Sequence, residues 1–220
     1  MTDKSFRTYT PSDRIIEEID RALNNIFCKQ VSSRPYPPAS TDGETETPTM
    51  TTEQKKVAAG LVRVNHAGEM AAQALYQGQS LTARDPKLAD KLKYASIEEA
   101  DHLNWCRNRL EELGERPSLL DPLWYAGSFA IGMAAGIAGD RWNLGFLAET
   151  EHQVVRHLDS HLDRLPENDV RSRAIVSQMK IDEQGHAELA ENLGAAELPR
   201  PVKQFMKLTS KVMTNLAEKV

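Results

Sequence analysis

The chain has 220 residues, of which 40% are hydrophobic and 27% charged, and its formal net charge is −5. This length suffices for one domain with a well-buried core, and the acidic balance gives no electrostatic footprint for nucleic acid. Cys28 and Cys106 are too few and too far apart for a disulfide framework or a thiolate metal site, and we interpret both as reduced thiols. Lys4 and Arg7 precede no apolar stretch, so no secretory signal is predicted, and the acidic residues that follow argue against an organelle presequence.

Apolar residues recur with helical spacing through most of the chain, and no stretch alternates with period two, so the predicted fold class is all-α. A short helix over 12–28, capped by Ser12, precedes a flexible linker over 29–50 that is rich in Pro, Ser and Thr. Caps, prolines and glycines then delimit further helices at about 51–82, 85–114, 140–165, 168–192 and 199–220. The chain thus divides into an N-terminal extension, residues 1–50, and a helical bundle domain, residues 51–220.

A Glu-x-x-His motif occurs twice, at 99–102 and 183–186, and each copy follows an isolated glutamate at a similar distance. Glu69 lies 30 residues before Glu99, and Glu151 lies 32 residues before Glu183. Positions i and i+3 project from one face of a helix, so each motif aims a carboxylate and an imidazole at one point. Two such helices and two that carry single glutamates form the ligand set of a ferritin-like four-helix bundle with two iron or manganese ions.

All of these residues lie where the apolar stripes of their helices require a core residue. A buried carboxylate is very unfavourable unless it is paired or bound to a metal, and four converging carboxylates without cations could not all stay ionised. Metal binding explains the pattern. The candidate metal ligands are Glu69, Glu99, His102, Glu151, Glu183 and His186.

Neighbouring acidic and imidazole side chains are predicted to lie off these stripes. Glu149 is turned about 160° from Glu151, onto the solvent side of its helix, and Glu98 is interpreted as a surface charge. His66, one turn before Glu69, is predicted to have a structural or supporting role. His152, His157 and His161 also lie off the stripe and are interpreted as ordinary side chains, with the orientation of a metal ligand as an alternative role for His157. Tyr76 lies on the stripe two turns after Glu69 and is predicted to pack rather than to react.

Carboxylate and imidazole ligands without thiolates favour iron or manganese over zinc or copper. Four carboxylates offset the charge of two divalent ions, and bridging glutamates would hold these ions about 3.5–4 Å apart. Six protein ligands leave coordination positions open for dioxygen. The spacing is compatible with oxygenation, oxidase or peroxidase chemistry and with iron storage, and it does not choose among them.

Four motifs follow one another within about residues 55–195. They are Arg63-Val-Asn-His-Ala-Gly-Glu69 with residues 71–79 after it, Glu99-Ala-Asp-His102-Leu, Glu151 with His157-Leu six residues later, and Asp182-Glu183-Gln-Gly-His186. In this ordered set the chain resembles the demethoxyubiquinone hydroxylases of ubiquinone biosynthesis. Asn65 stands where the best-known members of that family carry Asp, and Leu158 follows His157 where they carry Tyr.

The resemblance implies that the six candidate ligands bind two iron ions per chain. It implies a monooxygenase that uses dioxygen to hydroxylate the ring of a demethoxylated polyprenyl benzoquinol. It further implies a peripheral location on the cytoplasmic face of the bacterial inner membrane, and it leaves open a homo-oligomer and contacts with other proteins of ubiquinone biosynthesis. Two alternatives to this function are a soluble di-metal peroxidase or catalase, which should lack the uncharged segment described next, and an iron-storage protein, which needs a closed shell of subunits.

Two segments suit a lipid substrate. Residues 123–139 contain no charge, and as a helix they would be about 25 Å long, near the short limit for a membrane span. Their Gly132-x-x-x-Gly136 pattern permits close helix contact, so spanning, insertion at the membrane surface, and burial in the bundle or an oligomer interface all remain alternatives. In the last helix, Lys203, Lys207 and Lys211 lie on one line beside apolar residues, which is typical either of a membrane-surface helix or of a capping helix with solvated lysines.

Overall fold

Seven helices make up the described part of the chain, in a computed structural model that describes residues 10–38 and 49–220. The helices are α1 (Pro11–Phe27), α2 (Thr52–Thr82), α3 (Pro86–Glu112), α4 (Asp121–Ile137), α5 (Asp140–Arg164), α6 (Val170–Asn192) and α7 (Arg200–Ala217). No strand occurs among the described residues, and the predicted all-α fold is confirmed. The predicted helix ends differ from the observed ones by only a few residues, and the uncharged segment 123–139 forms α4.

Reciprocal caps begin the first two helices. Thr51 Oγ1 accepts a hydrogen bond from Gln54 N at 3.2 Å, while Gln54 Oε1 accepts one from Thr51 N at 2.9 Å. This capping box satisfies two amides that would otherwise be free at the start of α2. Thr10 forms the same kind of box at α1, so the predicted cap at Ser12 is wrong. The reason is that Pro11 lacks an N–H and fits the first helical position, which moves the cap to the residue before it.

The four long helices α2, α3, α5 and α6 form the bundle, and two apolar clusters fill its interior. One cluster lies toward the start of α2 and includes Leu61, Trp105 and Met179. The other lies toward the end of α2 and includes Tyr76 and Leu147. On each of the four helices, the candidate metal ligands come between the residues of one cluster and those of the other. Hydrophobic burial, at about 25 cal/mol per Å² of apolar surface, therefore stabilises the bundle on both sides of its polar centre.

α4 crosses α2 at close range because glycines meet at the crossing. A Cβ atom at Gly132 would overlap the carbonyl oxygen of Leu75, and one at Gly78 would overlap that of Phe129. Only glycine permits so close an approach of two helix backbones. The close contact that we predicted for the Gly132-x-x-x-Gly136 pattern is thus made within the chain, against α2.

The remaining side of α4 is uncharged and exposed. Leu123 is 59% exposed and Ile137 is 63% exposed, with small residues between them. α7 is amphipathic in a similar way: Met206 and Ala217 are buried, whereas its exposed apolar residues are Phe205, Leu208, Val212 and Leu216. Within residues 10–38 and 49–220, no helix combines the length and the apolar character that crossing a membrane requires.

Residues 29–38 pack against the bundle, and the prediction of a flexible linker over residues 29–50 is wrong for this part. Lys29 Nζ lies 2.8 Å from Glu111 Oε2 of α3. Prolines restrict the backbone of this segment, which lowers the entropy lost when it packs. Residues 39–48 and 1–9 lie outside the described residues, as do the predictions made for them. The division into an N-terminal extension and a bundle domain stays a prediction.

Candidate metal centre

The predicted ligands lie together midway along the bundle. They are Glu69 from α2, Glu99 and His102 from α3, Glu151 from α5, and Glu183 and His186 from α6. All are buried, and the most exposed of them, His186, is only 6% exposed. The i, i+3 spacing in α3 and α6 brings each histidine to the glutamate of its own motif, as the helix geometry requires.

Two carboxylates occupy the centre of the cluster. Nδ1 of His102 lies 3.2 Å from Oε2 of Glu99 and 3.1 Å from Oε1 of Glu183. Nδ1 of His186 lies 3.2 Å from Oε1 of Glu99 and 3.1 Å from Oε2 of Glu183. Each of these carboxylates therefore presents one oxygen to each histidine, which is the arrangement expected of ligands shared between two metal ions.

The other two glutamates lie at opposite ends of the cluster. Oε2 of Glu69 is 3.6 Å from Nδ1 of His102. At the other end, Glu151 accepts a hydrogen bond of 3.0 Å from the Tyr76 hydroxyl, and the Tyr76 ring stands edge-on to His186 with 6.2 Å between centroids. We refer to Glu69 with His102 as the α2–α3 half of the centre, and to Glu151 with His186 as the α5–α6 half.

The cluster retains protons when no cation neutralises it. Burial raises the pKa of the Glu69 and Glu151 carboxyls well above its usual value, and the charges of Glu99 and Glu183 add to this effect. Burial acts to lower the pKa of His186, but its hydrogen bonds with Glu183 and Glu99 outweigh burial and raise it to about 12. Metal binding must displace such protons, so metal affinity depends on pH.

The donor set fits an iron site. Nδ1 of each histidine carries at most one hydrogen but faces an oxygen of both Glu99 and Glu183, so Oε1 of each glutamate is buried without a hydrogen bond of its own. A cation between the side chains would relieve this costly arrangement. Ligand atoms of Glu69, Glu99, His102 and Glu183 lie within 4.8 Å of one another. Carboxylates and imidazoles without a thiolate suit iron or manganese.

A second pair of carboxylates contacts the outer nitrogens of the histidines. Oδ2 of Asp182 lies 2.9 Å from Nε2 of His102, and Oε2 of Glu98 lies 2.8 Å from Nε2 of His186. Each acid directly precedes the glutamate of one motif and reaches the histidine of the other. The prediction that Glu98 is only a surface charge is therefore wrong, although its side chain is 50% exposed. The signal that could have identified both residues is the acid immediately before each motif glutamate.

Arg34 of the N-terminal extension also reaches the centre, and sequence reasoning did not identify it. Its Nη1 lies 2.8 Å from Oδ2 of Asp182, and its Nη2 lies 3.1 Å from Nε2 of His102. The contact depends on how the segment packs between α3 and α6, and no local pattern indicates it.

Two of the residues predicted not to bind metal have specific partners elsewhere. Nδ1 of His66 lies 3.2 Å from Oδ2 of Asp121, at the start of α4, and its structural or supporting role stays a prediction. Glu149 points away from the cluster but not into solvent, because Lys203 of α7 lies 3.4 Å away and leaves the glutamate side chain only 12% exposed. The solvent position predicted for Glu149 is therefore wrong. Because Lys203 pairs with Glu149, only Lys207 and Lys211 remain of the predicted row of solvated lysines.

The histidines of α5 were all predicted to lie off the apolar stripe, and the structure agrees with this for His152 but not for His161. His152 is partly exposed and pairs with Glu191 at 2.8 Å. His161, however, is fully buried, and its ring centroid is 4.0 Å from that of His157. Its neighbour His157 lines the cavity described below together with Met213 and Thr214 of α7, and contacts of this kind between distant helices cannot be predicted from a pattern within α5.

A cavity of about 400 Å³ extends from Glu69 to the protein surface. It lies between α2, α4, α5 and α7, and its wall surface is mostly apolar, although Asn65, Gln153 and His157 are among the polar residues that line it. Leu123 and Ile131 line the cavity and are also 59% and 37% exposed, so the cavity opens beside the uncharged side of α4.

Comparison with known proteins identifies the family of the chain. The family model described as Ubiquinone biosynthesis protein COQ7 matches residues 56–217. A 3-demethoxyubiquinol 3-hydroxylase of Chromobacterium violaceum is 55% identical, with 94% of this chain and 99% of the relative covered. One of Polynucleobacter necessarius is 53% identical, with 96% of this chain and 100% of the relative covered. The chain belongs to the COQ7 family. The resemblance predicted from the four motifs is confirmed.

A solved structure places the COQ7-family chain among ferritin-like folds. The bacterioferritin-related protein of Bacteroides fragilis, a dodecameric thioferritin, superimposes with a TM-score of 0.54 at 14% identity. The match covers 63% of this chain and 84% of the thioferritin. At this identity the likeness concerns the fold, and it confirms the predicted ferritin-like bundle.

Proposed function

We propose that the protein is a di-iron monooxygenase that hydroxylates the ring of a demethoxylated polyprenyl benzoquinol in ubiquinone biosynthesis. The observation that carries this proposal is the buried centre in which Glu99 and Glu183 each face both His102 and His186. Membership of the COQ7 family supports the substrate class, because the relatives described above are named 3-demethoxyubiquinol 3-hydroxylases.

In this proposal Glu69 and His102 of the α2–α3 half would hold one iron ion, Glu151 and His186 of the α5–α6 half would hold the other, and Glu99 and Glu183 would serve as ligands to both halves. Bound ferrous ions with open coordination positions would supply electrons for the reduction of dioxygen. The hydrogen bond from Tyr76 fixes the orientation of Glu151 in the α5–α6 half. With apolar clusters on both sides, each of the six candidate ligands is at most 6% exposed.

The overall reaction inserts one atom of dioxygen and reduces the other. One oxygen atom replaces a ring hydrogen as a hydroxyl group, and the second leaves as water after uptake of two electrons and two protons. The ring of a quinol is more electron-rich than that of a quinone and is the better target for electrophilic oxygen. We therefore expect reduction of the substrate to precede hydroxylation.

The cavity beside Glu69 is suited to hold the substrate ring. Asn65 lines it one turn before Glu69, and both amide atoms of Asn65 are buried without a hydrogen-bond partner. A ring oxygen of the quinol would satisfy this amide, and the apolar walls would hold the start of the prenyl tail. Iron storage and peroxide reduction, the alternative functions, have no use for an apolar cavity that leads to the metals.

A labelling experiment tests the proposed function. Protein loaded with ferrous iron receives a demethoxylated quinol and ¹⁸O₂, and we expect a hydroxylated product that carries one ¹⁸O atom. The same quinone in its oxidised form, without an electron donor, should stay unconverted. Label that enters the product only from H₂¹⁸O would rule out the oxygenase mechanism.

The membrane location follows from the substrate. A polyprenyl quinol stays in the bilayer, so the mouth of the cavity must face lipid. The apolar sides of α4 and α7 flank this mouth, and Lys207 and Lys211 are exposed on α7, where they can contact anionic headgroups. On this basis we expect the protein to lie on the cytoplasmic face of the cell membrane.

Ile137→Lys tests this location, because Ile137 is 63% exposed and does not line the cavity. Placing lysine in hydrocarbon is unfavourable by about 2.5–3.5 kcal/mol. We expect normal iron content, weaker binding to anionic liposomes, and activity lost on long-tailed but retained on short-tailed quinols. The control is Ile181→Lys on α6, which is 65% exposed and belongs to a helix that does not line the cavity. Equal liposome binding by Ile137→Lys and the native protein would contradict docking through α4.

A further inference from the structure

The segment of residues 29–38 reaches the outer side of the α2–α3 half of the metal centre. Asp101 of α3 is 1% exposed and accepts hydrogen bonds from Ser32 Oγ at 3.0 Å and from Ser33 N at 2.6 Å. Both serines directly precede Arg34. The buried carboxylate therefore determines the path of the backbone that brings Arg34 to the centre.

The guanidinium group of Arg34 connects α3 to α6. Its Nε lies 2.8 Å from Oδ2 of Asp101, its Nη1 lies 2.8 Å from Oδ2 of Asp182, and its Nη2 lies 3.1 Å from Nε2 of His102. The group also lies over the Trp105 ring, 4.8 Å from the centroid. A guanidinium presents a planar fork of donors that can hold two carboxylates in fixed directions, which the single ammonium of a lysine cannot do.

Asp182 is the link between Arg34 and the metal centre. Its Oδ2 atom lies 2.9 Å from Nε2 of His102 as well as 2.8 Å from Arg34. A metal-bound histidine donates its other N–H group to such a carboxylate, and this contact fixes the orientation of the ring. Arg34 thus restrains the carboxylate that orients His102.

The α5–α6 half has no equivalent cation. Glu98 faces Nε2 of His186, yet it forms no ion pair with lysine or arginine within the part of the chain that the structure describes. The inner contacts of the two halves are closely alike, so Arg34 is a source of asymmetry between them.

We propose that Arg34 is a positioning residue that orients His102 through Asp182 and thereby strengthens the binding of one of the two metal ions. The inference rests on the metal centre proposed above. It goes beyond that proposal because it assigns a function to the N-terminal extension, outside the helices that carry the ligands.

The test is a Co²⁺ titration of the metal-free full-length protein, followed by visible absorption and by total metal per chain. We expect the native protein to bind two ions. Arg34→Gln should bind one of them about 10- to 100-fold more weakly and leave the other unchanged. Arg34→Lys should recover only part of the loss, because an ammonium cannot hold both aspartates.

Lys29→Gln is the matched control. It removes another ion pair of the same segment, that with Glu111 at 2.8 Å, without touching the metal centre. We expect it to bind Co²⁺ as the native protein does. Equal weakening in Lys29→Gln and Arg34→Gln would overturn the proposal, because the loss would then come from release of the segment. Native affinities in Arg34→Gln would overturn it as well. A native protein that binds fewer than two ions would instead overturn the metal centre itself.

Asp182→Asn tests the same link from the side of α6. If Arg34 acts through Asp182, the double variant Arg34→Gln with Asp182→Asn should bind Co²⁺ no more weakly than Asp182→Asn alone. Losses that add in the double variant would overturn the proposal. Should Arg34→Gln fail to fold, Arg34→Lys takes its place in both comparisons.

Discussion

The two halves of the metal centre carry the same types of ligand, but their surroundings differ. In the α2–α3 half, Nε2 of His102 faces Asp182, which is 13% exposed and paired with Arg34. In the α5–α6 half, Nε2 of His186 faces Glu98, which is 50% exposed. The repeated Glu-x-x-His motif and the acid before it give both halves similar carboxylate contacts, whereas Arg34, which lies outside the repeat, pairs with the outer carboxylate of one half only. The two metal ions should therefore differ in affinity even though their ligands match.

The difference between the two halves should disappear when a carboxylate that serves both halves is removed. Glu99→Ala or Glu183→Ala should abolish hydroxylation and reduce bound iron from about two ions per chain to fewer than one, because each carboxylate serves both halves. Burial opposes the charge of Glu99, but its contacts with His102 and His186 outweigh burial and hold the pKa of this carboxyl well below its usual value. Glu99→Ala leaves both buried histidines without this partner, so thermal unfolding of the metal-free variant should occur at a lower temperature.

Glu149→Ala is the control for these two substitutions. Glu149 lies two residues from Glu151 and pairs with Lys203 at 3.4 Å. We expect native iron content and turnover in this variant. Damage as severe as that in Glu151→Ala would mean that the register of α5 is wrong.

Substitutions of the outer carboxylates should reveal the difference between the two halves, with a smaller loss of metal binding. Asp182→Asn should weaken the binding of one ion about 10- to 100-fold. Glu98→Gln should weaken binding only about threefold, because water screens the charge of a half-exposed carboxylate. Co²⁺ titration of both variants measures this difference. Equal losses would show that the two halves do not differ in the way described.

Substitution of His161, which belongs to neither half, should have the smallest effect on metal binding. It is fully buried with both ring nitrogens unpaired, unlike His102 and His186. Burial lowers the pKa of His161 to about 2, and the charges of His157 and Arg164 add to this. At pH 5 the folded protein therefore keeps His161 neutral, whereas the unfolded chain, with a pKa near 6.5, takes up a proton. Stability is thus retained above about pH 6.5 and decreases as the pH falls below it.

His161→Leu should remove this part of the acid sensitivity. Between pH 7 and pH 5, the metal-free variant should lose about 2 kcal/mol less free energy of unfolding than the native protein. Denaturant unfolding at the two pH values, in the presence of a chelator, measures the difference. Identical losses in both proteins would contradict the buried neutral state of His161.

The inner part of the centre could be predicted from the sequence because it depends on local periodicity. Glu69 and Glu151 stand in apolar stripes, and the i, i+3 spacing of each motif fixes which side chains share a face. The helical bundle could also be predicted from local signals, because caps, prolines and glycines mark the ends of its helices.

What the sequence did not reveal depends on contacts between distant segments. Glu98 lies off the stripe of α3, and only the packing of α3 against α6 brings it to His186. Arg34 lies in a segment whose composition is typical of a linker, and its role depends on Asp101 and on α6. Helical periodicity indicates which residues of a helix face the core. It does not indicate which segment of the chain covers the other faces of that helix.

The most direct test of the account is the iron content of the full-length protein after anaerobic loading with Fe²⁺, compared with that of Glu69→Ala and Glu151→Ala. The account predicts about two ions per chain in the native protein and about one in each variant, because each substitution removes a ligand from one half only. A native ratio of about one, or two ions retained in both variants, would contradict a centre built from two halves with shared carboxylates.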